Sequence, residues 1–198
     1  MESKLILYHS NKENECNQFI CEKEYLILSK NKRDDIWLGK GMYFWDNKGN
    51  AYWWNRKQCK KNPNIQYIIV AANARLDELL DLTDFDVYIK LEELWQNICR
   101  KIQRNSDVPL GNKLDFLFDI QHFKKKYAII KVYGKYNSTP NRGIFRFDYS
   151  TVKKEPTIGV KCIYSIRDGR CIEEKELVEQ GGKDNGKNRK FSVSTKVY

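Results

Sequence analysis

Apolar positions in this chain fall into short, strand-like runs near its ends and into helical stripes through its middle. Residues 4–8 (KLILY) predict a strand that runs into His9-Ser10. Residues 66–73 (QYIIVAAN) form an apolar, partly β-branched run between polar flanks and predict a buried strand. Residues 86–104 place Val87, Leu91, Leu94, Trp95, Ile98 and Ile102 at helical spacing and predict an amphipathic helix. Residues 114–123 predict a second helix, closed by the lysine triplet Lys124 to Lys126, which suits a helix C-terminus. Residues 127–133 read as a strand or a helix tail, and 144–149 (IFRFDY) and 160–166 (VKCIYSI) as strands. Residues 16–28 alternate poorly and predict a short helix and a strand, 76–84 are turn-rich, and 173–180 predict a short terminal helix. Strands in runs, with helices segregated between them, predict an α+β fold. A single domain is expected over residues 1–180, with 181–198 (GGKDNGKNRK onward) as a flexible basic tail.

The densest pattern is WLGKGMYFWDNKGNAYWWNR, residues 37–56, which holds four of the five tryptophans. Residues 41–45 predict the end of a strand and 51–59 a helix, with Asn50 as its N-cap. Gly39 and Gly41 permit close backbone approach or dihedrals other residues avoid. Core packing accounts for such a cluster, since Trp and Phe bury large areas. A pocket for a stacked nitrogen-containing ring accounts for it as well. Both hold together if alternate residues of the strand face core and cleft.

Charge narrows the partners. The 198 residues carry a formal net charge of +10, which favours a polyanion such as nucleic acid, an acidic protein or a phosphorylated ligand; a solvated lysine-rich surface produces the same balance. Apolar residues at 41% and aromatics at 13% exclude a disordered chain. No apolar run approaches the roughly 20 residues of a membrane span, and MESKLILYHS has no signal-peptide core. Six cysteines without a CxxC pair and only two histidines argue against a zinc site and fit a reducing cytoplasm. No GxxxxGK[ST] loop is present, and a lone GxG is weak support for a dinucleotide fold.

LYHS at 7–10 and WLGKGMYFWDN at 37–47 resemble the first two motifs of the ADP-ribosyltransferase superfamily, in the branch shared by diphtheria toxin and poly(ADP-ribose) polymerases. AYWW at 51–54 sits where that branch carries a helix after its tyrosine strand. VAANARLDELLDLTD (70–84), RGIF (142–145) and KCIYSIRDGRCI (161–172) extend the similarity to bacterial proteins of this fold. The resemblance implies a split antiparallel or mixed sheet with flanking helices, and NAD as the bound dinucleotide. It implies that His9 hydrogen-bonds the adenosine-side ribose, that the Ser10 backbone holds the nicotinamide amide, and that Tyr43 stacks on the cationic ring. Gly39 and Gly41 would allow close approach, and Trp53 would add to the NAD site. Such a clamp works mainly by orientation, and a carboxylate stabilises the charge that develops at the glycosidic carbon.

Two departures matter. The usual His-Gly is His9-Ser10 here, and the late-strand glutamate position falls on Lys161. Asp148, Glu155, or no carboxylate of this segment would then serve. The expectation is a cytoplasmic mono-ADP-ribosyltransferase similar to the toxin half of a toxin–antitoxin or phage-defence system. Its target would be RNA or DNA, with a protein target as the alternative; its neutralising partner would be a protein antitoxin, and neither a metal nor a membrane would take part. Two other readings stay open: an NAD or ADP-ribose sensor without turnover, and a basic RNA-binding domain whose aromatics (Tyr133, Tyr136, Phe145, Phe147 and Tyr149 among lysines and arginines) form a single-strand surface.

Overall fold

The computed structural model describes residues 3–30, 34–136, 157 and 159–180. These residues form a mixed sheet of seven strands with helices on both faces, an α+β architecture. The strands are β1 (Lys4–Lys12), β2 (Met42–Trp45), β3 (Tyr67–Arg75), β4 (Leu79–Asp81), β5 (Ile129–Lys135), β6 (Val160–Ile166) and β7 (Ile172–Gln180). Their spatial order is β4-β5-β6-β2-β1-β3-β7; β4 and β5 run parallel and the other pairs antiparallel. The helices are α1 (Glu13–Cys21), α2 (Lys48–Lys61), α3 (Phe85–Ile102), α4 (Leu110–Asp119) and α5 (Gln121–Lys126).

Side chains alternate across a strand, so each run feeds both faces. Leu7, Met42, Phe44, Val70 and Ile166 turn to one face and pack with Cys16 and Phe19 of α1. Ile130 and Ile163 turn to the other and pack with Leu38 and with Leu114 and Phe118 of α4. A smaller cluster joins Trp95 and Cys99 of α3 to Leu117 of α4, away from residues 37–56, with the Trp95 indole donating to the Ser106 carbonyl at 2.9 Å.

Several sequence expectations shift. The strand expected over 4–8 runs on to Lys12, because its far half pairs with β3 through Lys12↔Tyr67. Residues 16–28 yield a helix that ends at Cys21 and no strand. The turn-rich 76–84 stretch contains β4, which gains a partner in β5. The helix expected over 114–123 is two helices broken at Ile120, whose ψ of 119° is extended. Asn47, not Asn50, caps α2, accepting from the Gly49 N–H at 2.8 Å; Asn50 already lies inside the helix. The helix expected over 173–180 is strand β7: the free edge of β3 takes it as a partner, and pairing overrides the helical composition of EEKELVEQ. The strand expected over 144–149 and the basic tail at 181–198 lie outside the described residues.

Candidate functional site

The sheet opens between its two central strands. β1 and β2 meet at Tyr8↔Trp45. Beyond that bridge the His9 imidazole enters between them, and its Nδ1–H donates to the Tyr43 carbonyl at 2.6 Å. A side chain thus takes a carbonyl that a regular ladder would pair with backbone. The His9 ring lies against Phe44, centroids 5.5 Å apart, and is buried. Burial outweighs the Tyr43 hydrogen bond and lowers its pKa to about 4. The ring is therefore neutral at pH 7, with its proton on Nδ1 and a lone pair on Nε2. Among the described residues that Nε2 has no hydrogen-bond partner.

A cavity of about 690 Å³ lies at this opening, within the range of small-molecule sites. His9, Ser10, Asn11 and Lys12 supply one wall, Tyr43 and Trp45 of β2 another, and Trp54 and Gln58 of α2 a third. Residues 25–30, together with Asp34 and Trp37, close it. Ser10 is tied down by Asn55 of α2, whose amide donates to the Ser10 hydroxyl at 3.2 Å. Tyr25 is held by Glu15, its hydroxyl donating to the carboxylate at 2.9 Å. Lys175 of β7 braces the same corner by donating to the carbonyls of Phe19, Glu22 and Tyr25 at 2.9, 2.7 and 3.3 Å.

Tyr43 links the cavity to the loop before it. Its hydroxyl donates to the Gly39 carbonyl at 2.7 Å and accepts from the Leu38 N–H at 3.2 Å. Burial first, and the Asp34 charge second, raise its pKa, so the phenol stays protonated. The loop is held from behind by Arg167, half-buried just after the end of β6. Its guanidinium pairs with Asp115 of α4 at 2.6 Å, donates to the Leu38 carbonyl and covers the Phe118 ring at 4.8 Å. Asp115 also accepts from the Lys40 N–H at 2.8 Å.

The predicted residues separate into four groups. His9, Ser10 and Tyr43 come together on the cavity wall. Gly39 and Gly41 are not among the lining residues, and protein atoms take the space that a side chain would fill. A Cβ on Gly39, at φ +66°, would lie 2.2 Å from the Asp115 carboxylate, and one on Gly41 would lie 2.1 Å from the Ser165 hydroxyl. Trp53 lines a smaller neighbouring pocket of about 120 Å³ with Trp45, Asn50, Tyr136 and Lys161. Asp148 and Glu155 lie outside the described residues. Glu15, Tyr25, Asp34 and Gln58 also stand on the main wall, where none was expected, and Tyr136, expected on a single-strand surface, joins them. Of these, only Asp34 and Tyr136 carried a local signal, one beside the tryptophan motif and the other in the aromatic run.

Among the described residues no helix is long and apolar enough to cross a membrane, and no cluster of His, Cys, Asp and Glu is placed to hold a metal ion. Compared with family models, with curated proteins and with solved structures, the chain gives no match in any of the three.

Proposed function

We propose that the chain is an NAD-dependent mono-ADP-ribosyltransferase that modifies nucleic acid, RNA or DNA, and acts as the toxin of a toxin–antitoxin or phage-defence system. The observation that carries this reading is the neutral His9 with an unpartnered Nε2, set in an aromatic cavity where two central strands part. The strand order supports the resemblance drawn from the motifs: the histidine strand, the tyrosine strand and the late strand stand side by side as β1, β2 and β6.

The residues present fit a bent dinucleotide. His9 Nε2 is an acceptor and suits a ribose hydroxyl, which donates. Tyr43, Trp45 and Trp54 offer ring faces for the nicotinamide, and Glu15 and Asp34 bring negative charge to the wall of a site for a cationic ring. NAD would supply an activated glycosidic bond, whose cleavage releases nicotinamide and passes ADP-ribose to the acceptor. The chain's own contribution is orientation: Asn55 fixes Ser10, and Arg167 and Asp115 fix the loop that holds Tyr43.

One observation favours a second reading. Lys161 stands near the start of β6, where the superfamily places its glutamate, and lines the small pocket beside Trp45. A lysine there neither stabilises positive charge nor accepts a proton from a target, so binding without transfer is the alternative. Labelled NAD offered with total RNA, single-stranded DNA and lysate protein in separate reactions decides between them. Wild type should label nucleic acid, and His9→Ala and Tyr43→Ala should lose at least tenfold. Label on protein alone redirects the target. Binding of NAD with no label on any class establishes the sensor reading, and no binding of NAD at all overturns both.

A further inference from the structure

Helix α2 carries five basic residues, Lys48, Arg56, Lys57, Lys60 and Lys61, and no acidic one. All five are exposed, and none has a carboxylate partner among the described residues. Asn50, Trp53, Lys57 and Lys60 follow at spacings of three and four and so share one stripe of the helix. Trp53 is 41% exposed, so its ring face is open to a ligand. The Lys57 ammonium stands over it at 5.1 Å, and Trp54 lies beside it with centroids 6.3 Å apart. The foot of the stripe is the small pocket, where Trp53 faces Lys161, Asn50 and Tyr136. Trp45 and Tyr136 belong to both pockets and separate the small one from the main cavity.

We propose that this stripe binds single-stranded nucleic acid, with one base in the small pocket against Trp53 and the adjoining phosphates along Lys57, Lys60 and Lys61. Charge complementarity selects the occupant. A continuous exposed cationic row beside an exposed indole matches a strand that alternates phosphates with flat rings. An acidic peptide would use the cations and leave the ring without a role. Asn50 and Lys161 offer donors and an acceptor to a base edge. In position the stripe would deliver the acceptor to the transferase cavity, and to that extent it rests on the function proposed above. Binding itself requires no NAD.

Fluorescence polarisation of a labelled single-stranded RNA, without NAD, tests the site on the full chain. Wild type should bind with strong salt dependence. Trp53→Ala should weaken binding about tenfold, the loss of one stacked base. Lys60→Gln combined with Lys61→Gln should flatten the plot of log affinity against log salt by about 0.7 per lost phosphate contact, while retaining NAD affinity by calorimetry. The melting temperature of each variant checks that it is folded. Wild-type affinity in both variants, or no RNA binding by wild type at low salt, overturns the proposal; so does label transfer to protein alone. If NAD fails to bind but RNA binding follows the stripe, the transferase reading falls and this site stands.

Discussion

His9 concentrates several effects in one ring. Its pKa is about 4 in the folded chain because burial disfavours the cation, against an ordinary value of 6.5 once unfolded. Between those two values the unfolded chain takes up a proton that the folded one refuses. Stability should therefore be unaffected by this group above pH 6.5, fall as pH drops through the window, and level off below about pH 4, a total of roughly 3 kcal/mol. Urea unfolding of wild type and His9→Gln at pH 7, 5.5 and 4.5 checks this: the variant should show a shallower decline. In the folded chain the proton reaches Nε2 and removes its acceptor lone pair only as pH falls through about 4, so ligand affinity should hold down to that point and fall below it. At this scale the sequence was partly legible. His9 and Tyr43 stand out by type and by the motif around them, and the structure brings both to the cavity. Arg167 and Asp115 do not stand out, because they lie 52 residues apart and nothing local marks them as partners. Lys175, the brace behind Tyr25, sits in an acidic run where nothing local marks it.

At the scale of elements, the loop between Asp34 and Gly41 depends on contacts from α4 and β6 more than on its own sequence. The Asp34 carbonyl accepts from the Gly39 N–H at 2.8 Å and from the Trp37 N–H at 3.1 Å, which makes the turn, but Arg167 and Asp115 hold that turn against the sheet. Arg167→Ala should cost about 3 kcal/mol, since it takes the guanidinium from the Leu38 carbonyl and from the Asp115 carboxylate, which keeps the Lys40 N–H. Because the Tyr43 hydroxyl is anchored on the same loop, the variant should also raise the KM for NAD more than a distant core substitution of equal stability cost. Measuring both quantities against Leu117→Ala separates positioning from a general loss of stability. Most elements were legible as type, because apolar period alone distinguishes the β3 run from the α3 stripe. Failures came where a partner decided the outcome. β7 has a helical composition and becomes a strand because β3 has a free edge; β4 is too short to announce itself without β5. The break at Ile120 has no glycine or proline to signal it.

On the whole-molecule scale the opening between β1 and β2 organises the fold. α1 packs on one face of the sheet and α4 on the other, and the seam between the faces is left to side chains. Each helical layer could be inferred from the chain in order, but the cavity could not, because its walls come from residues as far apart as Ser10 and Ile163. The tryptophan distribution follows from the same plan. Trp37, Trp45 and Trp54 line the cavity, Trp53 lines the pocket beside it, and Trp95 alone packs elsewhere, against Phe116. The protein thus carries its own optical probe, with four emitters at the site and one internal standard. Titration with NAD should quench the intrinsic emission through stacking on Trp45 and Trp54. Trp54→Phe should shrink the change, and Trp95→Phe should lower the total emission while leaving the change intact. A calorimetric binding signal with no change in emission would place the ligand outside this cavity. Every occupant of the site, whether dinucleotide or strand, would be reported by the light of the residues that hold it.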